Sequence, residues 1–149
     1  MPFQQKCVTL HSQTKRKCTF RTLTKQFQVE DNPDKKTSVM YYIKKTMEIA
    51  GCHQLHLSYE SKCENLHGHN WVVTIYCKAQ QLNQDGMVID FTQVKQQIHG
   101  YLDHGNFNEL LPFNPTAENI AKWICDQIPQ CYRVEVQESV GNIAAYEID

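Results

Sequence analysis

Ten residues, "KCENLHGHNW" at 62–71, hold a cysteine, two histidines two apart and a tryptophan. Neutral imidazole and thiolate are good ligands for zinc. Residues at i and i+2 of an extended strand point to the same face, so His67 and His69 stand one above the other there. A third histidine, His53, ends an earlier alternating run and lies on the same face as Met47 and Ile49. If the two runs pair as a hairpin, His53 meets His67 and His69. Three imidazoles on one face leave the fourth tetrahedral position open, which marks a catalytic rather than a structural zinc site. The bland alternative is three core histidines, each satisfied locally. Gly68, between the pair, would allow close backbone packing on the other face.

Cys63 precedes His67 by four residues, in the loop entering this face. A thiolate beside a cation is stabilised and can act as a base or nucleophile. It can equally be a fourth ligand or a plain loop cysteine. Asp103 and His104 are adjacent, and an aspartate can fix a histidine's tautomer and raise its basicity. Neighbours in sequence need a bend in the chain to touch. Glu138 ends an apolar row, Tyr132, Val134 and Val136, where a carboxylate needs donors. An amidine-like N–H pair, as in a pterin or guanine ring, would supply two in parallel; an internal salt bridge would also serve. His11, His56 and His99 read as surface residues, and Trp71 and Trp123 as core.

The elements that must position these groups follow from periodicity. Residues 41–53 and 67–79 alternate as strands. "NQDGM" at 83–87 reads as a turn. Asp90 should cap a helix, with Gln93 in capping-box position and Phe91, Val94, Ile98, Tyr101 and Leu102 as its apolar stripe. "LDHGNFNELLPFNP" reads as a connecting loop. Asn114 as N-cap and Pro115 at the first helical position should open a second helix. Its buried face is Ala117, Ile120, Ala121, Ile124 and Ile128, with Pro129 closing it. Strands at about 131–139 and 142–148, joined across Gly141, complete a ββααββ order. This is an α+β domain with an antiparallel sheet.

The chain has 149 residues, enough for one cored domain. It contains no run of about 18 apolar residues, which gives no reason to expect a membrane span. The seven cysteines (7, 18, 52, 63, 77, 125 and 131) form no C-x-x-C pair, so reduced thiols in a cytosolic protein are expected rather than a disulfide framework. The net charge of −1 is divided unevenly. Residues 1–39 carry eight Lys/Arg against three Asp/Glu, and residues 40–149 carry seven against thirteen, giving +5 and −6. Residues 1–39 lack periodicity and read as a basic arm, or as the product of a start site placed upstream of Met40. Use of the arm on nucleic acid is the weaker reading.

The separated motifs "AGCHQL", "KCENLHGHNW", "GMVIDF", "LDH", "NPTAENIAKWI" and "VQES" resemble, in order, the 6-pyruvoyltetrahydropterin synthase family over nearly all of 40–149. The spacing Cys63-x-x-x-His67-Gly68-His69 is similar to the bacterial 6-carboxytetrahydropterin synthase branch, of queuosine and deazapurine biosynthesis. The pyruvoyl-forming branch usually has two more residues there. The resemblance implies a tunnelling fold whose trimers close into a barrel and stack as a hexamer, with active sites between subunits. It implies one Zn²⁺ per subunit on His53, His67 and His69, and Cys63 as catalytic base. Asp103 and His104 would be a proton-relay pair, and Glu138 the pterin anchor, with Thr116 and Glu118 as further substrate contacts. The implied substrate is 7,8-dihydroneopterin triphosphate, with no membrane or nucleic-acid partner. A non-catalytic zinc or pterin-binding module is the alternative from another class. The acidic domain suits a triphosphate poorly, so a local basic cluster including Lys62, Lys44 or Lys45 is expected. Cys52 departs from the small residue usual before the first ligand, but strand parity turns it away.

Overall fold

The computed structural model describes residues 39–149, within a compact unit, Thr37–Asp149. The expectations for the basic arm, His11, Cys7 and Cys18 lie outside the described residues. The elements are β1 (Tyr41–His53), β2 (His67–Ala79), α1 (Phe91–Leu102), β3 (Gly105–Asn106), α2 (Phe107–Leu110), α3 (Ala117–Gln127), β4 (Cys131–Ser139) and β5 (Asn142–Glu147). A single 3-10 turn, Lys62–Glu64, precedes β2. The sheet order is β3-β1-β2-β4-β5, antiparallel except where β3 runs parallel to β1. The helices pack on one face.

Alternation explains β1 and β2. Met47, Ile49, Trp71, Val73 and Ile75 fall on one face and are buried, with Val134 and Val136 beside them from β4. They meet Val94, Ile98 and Leu102 of α1 and Ile120, Ala121 and Ile124 of α3. Each large aliphatic side chain removed from water here contributes roughly 1.5–3 kcal/mol. The β1–β2 register sets His53 opposite His67 and Gly51 opposite His69, so the hairpin places all three imidazoles at one end of the core-facing surface.

Several local expectations are corrected. The region 103–116 is not a plain loop: it contains β3 and the one-turn α2. Asp90 caps α1 through the Thr92 N–H, but Gln93 makes no return bond; the capping box forms instead between Ser61 and Glu64. Phe91 and Tyr101 do not belong to the buried stripe and are about half exposed, at 45% and 47%. The α3 cap is Thr116 and not Asn114, because the Asn114 carboxamide is taken up by the backbone of His56. Gly68 is not required for close packing, since a Cβ there would meet nothing nearer than 3.6 Å. Gly51 is required: a Cβ there would lie 2.5 Å from the Phe107 ring.

Cys77, Cys125 and Cys131 are core residues as expected. Burial pushes the Cys125 thiol up to about 12, and contact with the Cys77 thiol together with burial raises Cys131. Thiols so raised are inert at neutral pH.

Candidate metal centre and active site

The outward nitrogens of His53 and His67 are both engaged. His53 Nδ1 lies 2.8 Å from the Pro115 carbonyl, and His67 Nδ1 lies 2.7 Å from the Asn65 carbonyl. A carbonyl only accepts, so each Nδ1 carries the proton and each Nε2 presents a lone pair. Those two Nε2 atoms face each other at 3.1 Å. Two lone pairs cannot bond one another, so the contact calls for a shared electrophile. His69 Nε2 is buried with no hydrogen-bond partner. One nitrogen from each histidine lies within 4.8 Å of the others, the single such cluster among the described residues. Converging, fixed-tautomer lone pairs with an orphaned third fit a cation.

Burial lowers the His53 imidazole below its ordinary value, despite its bond to the Pro115 carbonyl. A neutral ring is the form that ligates. Beneath the cluster lies Trp71, its ring edge-on to His53 at 4.8 Å and to His69 at 5.2 Å. Its indole N–H donates to the Gly51 carbonyl at 3.2 Å. Phe107 packs on Trp71 at 5.4 Å through the space that Gly51 leaves open. The expectation that Trp71 is core thus holds, and the ring also forms the floor of the site.

Glu138 joins this cluster to a cleft. Its Oε1 stands 3.4 Å from His53 Nε2 and 3.9 Å from His69 Nε2. The same residue lines an open cleft of about 420 Å³ with Leu55, Leu57, Thr116, Glu118 and Ile143. The Thr116 hydroxyl accepts the Asn119 N–H as the α3 cap, which leaves it only its proton and one lone pair for a ligand.

Cys63 is not among the groups closing with the imidazoles, nor in the cleft lining. Its main chain is nevertheless fixed at both polar groups: the N–H donates to Ser61 Oγ at 3.2 Å, and the carbonyl accepts the Leu55 N–H at 2.9 Å. The thiol is therefore carried on a rigid turn tied to the strand end that bears His53.

Asp103 and His104 form their pair at the β3 edge. Asp103 Oδ2 accepts from His104 Nδ1 at 2.9 Å, and Oδ1 accepts the Ala50 N–H at 3.0 Å. The required bend is His104's left-handed φ of 58°. For a non-glycine residue this conformation costs of order 1 kcal/mol or more and needs surrounding support. The His104 N–H bond to the Ala50 carbonyl, 2.6 Å, provides part of it. The His104 ring is 82% exposed, so its far nitrogen is open to a partner molecule. His99 is not the partnerless surface residue expected. Its Nε2 approaches Asp103 Oδ2 at 3.6 Å from one helical turn back, an ion-pair distance rather than a hydrogen bond. The Ala50 N–H first, then the His104 bond and the His99 charge, hold the Asp103 carboxyl below the usual carboxylate range.

Of the residues expected from sequence, the fold brings together His53, His67, His69, Glu138, Thr116 and Glu118. Within one chain it leaves Asp103 and His104 on the outer edge of β1. The asparagines at 108 and 114, which brace the strand end, and Trp71 as the floor of the site were missed. Their signal is bonding to main chain and ring packing, which spacing does not display.

Comparison with known proteins decides the family. The profile described as "6-pyruvoyl tetrahydropterin synthase" matches residues 42–149. The chain belongs to this family. A Synechocystis protein named 6-carboxy-5,6,7,8-tetrahydropterin synthase is 33% identical over 121 residues, covering 72% of this chain and 93% of its own. A Drosophila melanogaster protein named 6-pyruvoyl tetrahydrobiopterin synthase is 31% identical over 124 residues, covering 66% and 74%. Among solved structures, Caenorhabditis elegans 6-pyruvoyl tetrahydropterin synthase superposes with a TM-score of 0.60 at 23% identity, covering 74% of this chain and 97% of the other. The five-stranded sheet with helices on one face is thus the family's tunnelling fold.

Proposed function

We propose that the chain is a zinc-dependent lyase, a 6-carboxy-5,6,7,8-tetrahydropterin synthase acting on 7,8-dihydroneopterin triphosphate in queuosine (7-deazapurine) biosynthesis. The observation that carries this is Glu138, which lies at once against the imidazole cluster and in the wall of the cleft. A bound pterin would place its amidine-like N–H pair on that carboxylate and its side chain towards the histidines. His53, His67 and His69 would hold one Zn²⁺. Zinc in that position supplies Lewis-acid polarisation of the side-chain hydroxyls, which makes the neighbouring protons easier to remove.

The chain's own residues do the rest. Glu138 orients the ring, with Glu118 and Thr116 as further contacts at the cleft wall. Cys63, on its pinned turn, takes a proton from the side chain as general base. His104, held in one tautomer by Asp103, moves protons on the opposite side. Because His104 lies at the sheet edge with its ring exposed, it serves the cleft of a neighbouring subunit in the hexamer that the family resemblance implies. Triphosphate leaves, the ring reaches the tetrahydro state, and acetaldehyde is released from the cleaved side chain. The redox change is internal to the substrate.

The carboxy-forming reading is favoured by the three residues between Cys63 and His67, and by the similarity to the Synechocystis relative. The similarity to the Drosophila relative supports a pyruvoyl product as the second reading. Mass spectrometry of the products from zinc-loaded protein separates them. The expected result is 6-carboxytetrahydropterin with acetaldehyde. A pyruvoyl product selects the second reading, and no turnover by folded, loaded protein leaves a binding module. Cys63→Ala should keep its zinc and lose turnover, and full activity in that variant removes Cys63 from its role.

A further inference from the structure

The strand bearing His53 does not stop being braced where the sheet ends. Beyond His53, the main chain of Gln54 is paired by the Asn108 carboxamide: Asn108 Oδ1 accepts the Gln54 N–H at 2.7 Å, and Asn108 Nδ2 donates to the Gln54 carbonyl at 2.7 Å. Two residues on, Asn114 does the same to His56, at 3.0 and 2.9 Å. The intervening Leu55 N–H turns the other way, to the Cys63 carbonyl. This is the alternation of a β-ladder, with two side-chain amides standing in for a missing strand. A carboxamide alone among side chains offers the peptide group's own donor and acceptor side by side.

Asn114 has a second connection. Its neighbour Pro115 supplies the carbonyl that fixes His53 Nδ1. That acceptor is main chain, so its place depends on what pins residues 114–116. The pins are the Asn114 pair to His56, and the Thr116 N–H (2.8 Å) and Asn119 Nδ2 (3.0 Å), both donating to the Asn114 carbonyl. One strap, residues 54–56, therefore joins the His53 imidazole, the carbonyl that sets its tautomer and the turn that carries Cys63.

We propose that Asn108 and Asn114 are positioning residues for the metal centre. By locking the strap they keep the Pro115 carbonyl on His53 Nδ1, and so keep the His53 Nε2 lone pair aimed at His67 and His69. The proposal rests on the metal-centre reading given above. Asn114→Asp tests it with little change of volume. It keeps one acceptor but sets a carboxylate oxygen against the His56 carbonyl. Asn108→Asp does the same at Gln54. His56→Ala is the control, because Asn114 holds only its main chain.

Two measurements are made on the full chain. Zinc affinity by chelator competition should weaken about 10- to 100-fold in each aspartate variant, as for outer-sphere partners of metal-bound histidines, and stay at the wild-type value in His56→Ala. In metal-free protein, ¹⁵N NMR should show His53 protonated at Nδ1 in wild type and in mixed tautomers in Asn114→Asp. Folded aspartate variants with wild-type affinity and an unmixed His53 tautomer overturn the proposal. If Asn114→Asp does not fold, the affinity of Asn108→Asp decides. If wild-type protein binds no zinc, the metal-centre reading fails by itself, and the tautomer measurement still judges the strap.

Discussion

His104 adopts a left-handed backbone so that its ring can reach the carboxylate of the residue before it. That carboxylate, Asp103, also holds the Ala50 N–H and stands near His99. Its carboxyl is therefore depressed in the folded chain relative to about 3.9 when unfolded. A depressed acid adds stability in full above the unfolded value and loses it as pH falls through the folded one. Wild type and Asp103→Asn should differ in stability at neutral pH, and the difference should vanish in acid melts below that window. His99→Gln removes one of the charges that depress Asp103, so the loss should begin at higher pH. An acid limb unmoved by His99→Gln would show that the 3.6 Å contact has no effect on the carboxylate. At this scale the sequence showed the residue types but not their partners. Strand parity alone put three imidazoles on one face, whereas His99 and Asn114 show their roles only once the chain around them is folded.

Between residue and molecule, the hairpin β1–β2 is the frame of the site, and its two glycines have opposite meanings. Gly51, two residues before a ligand, leaves room for Phe107, which packs on Trp71 under the imidazoles. Gly51→Ala forces the ring off its place and should cost about 1–3 kcal/mol by overpacking. Gly68, between two ligands, has ordinary space around it. Gly68→Ala should change stability by no more than about 0.5 kcal/mol, as a surface substitution does. Equal melting temperatures for the two variants would contradict the packing described. The long strands and α3 were legible because two-residue and 3.6-residue periods run over ten positions or so. β3 and α2 were not, since two and four residues cannot establish a period, and their placement comes from pairing with Gly51 and Cys52 and from burial of Phe107.

At the scale of the whole molecule, the charge and the cleft bear on one another. Residues 40–149 carry −6, while the proposed substrate is a triphosphate. Lys44 lies over the Tyr76 ring and Lys45 over the Phe91 ring. Both sit eight or nine residues before His53, roughly 25–30 Å along the strand at about 3.3 Å per residue. Lys62, in the turn with Cys63, is the one of the three at the metal end. In the proposed assembly a neighbour brings its Asp103–His104 edge to this open cleft. The central claim, that His53, His67 and His69 form a catalytic metal centre, is tested most directly by metal content per chain, read in the same samples as turnover of 7,8-dihydroneopterin triphosphate. Wild type should hold one zinc per chain and turn over; folded His67→Ala should hold none and be inactive. A folded His67→Ala that keeps one metal per chain, or full turnover by metal-free wild type, would contradict the account.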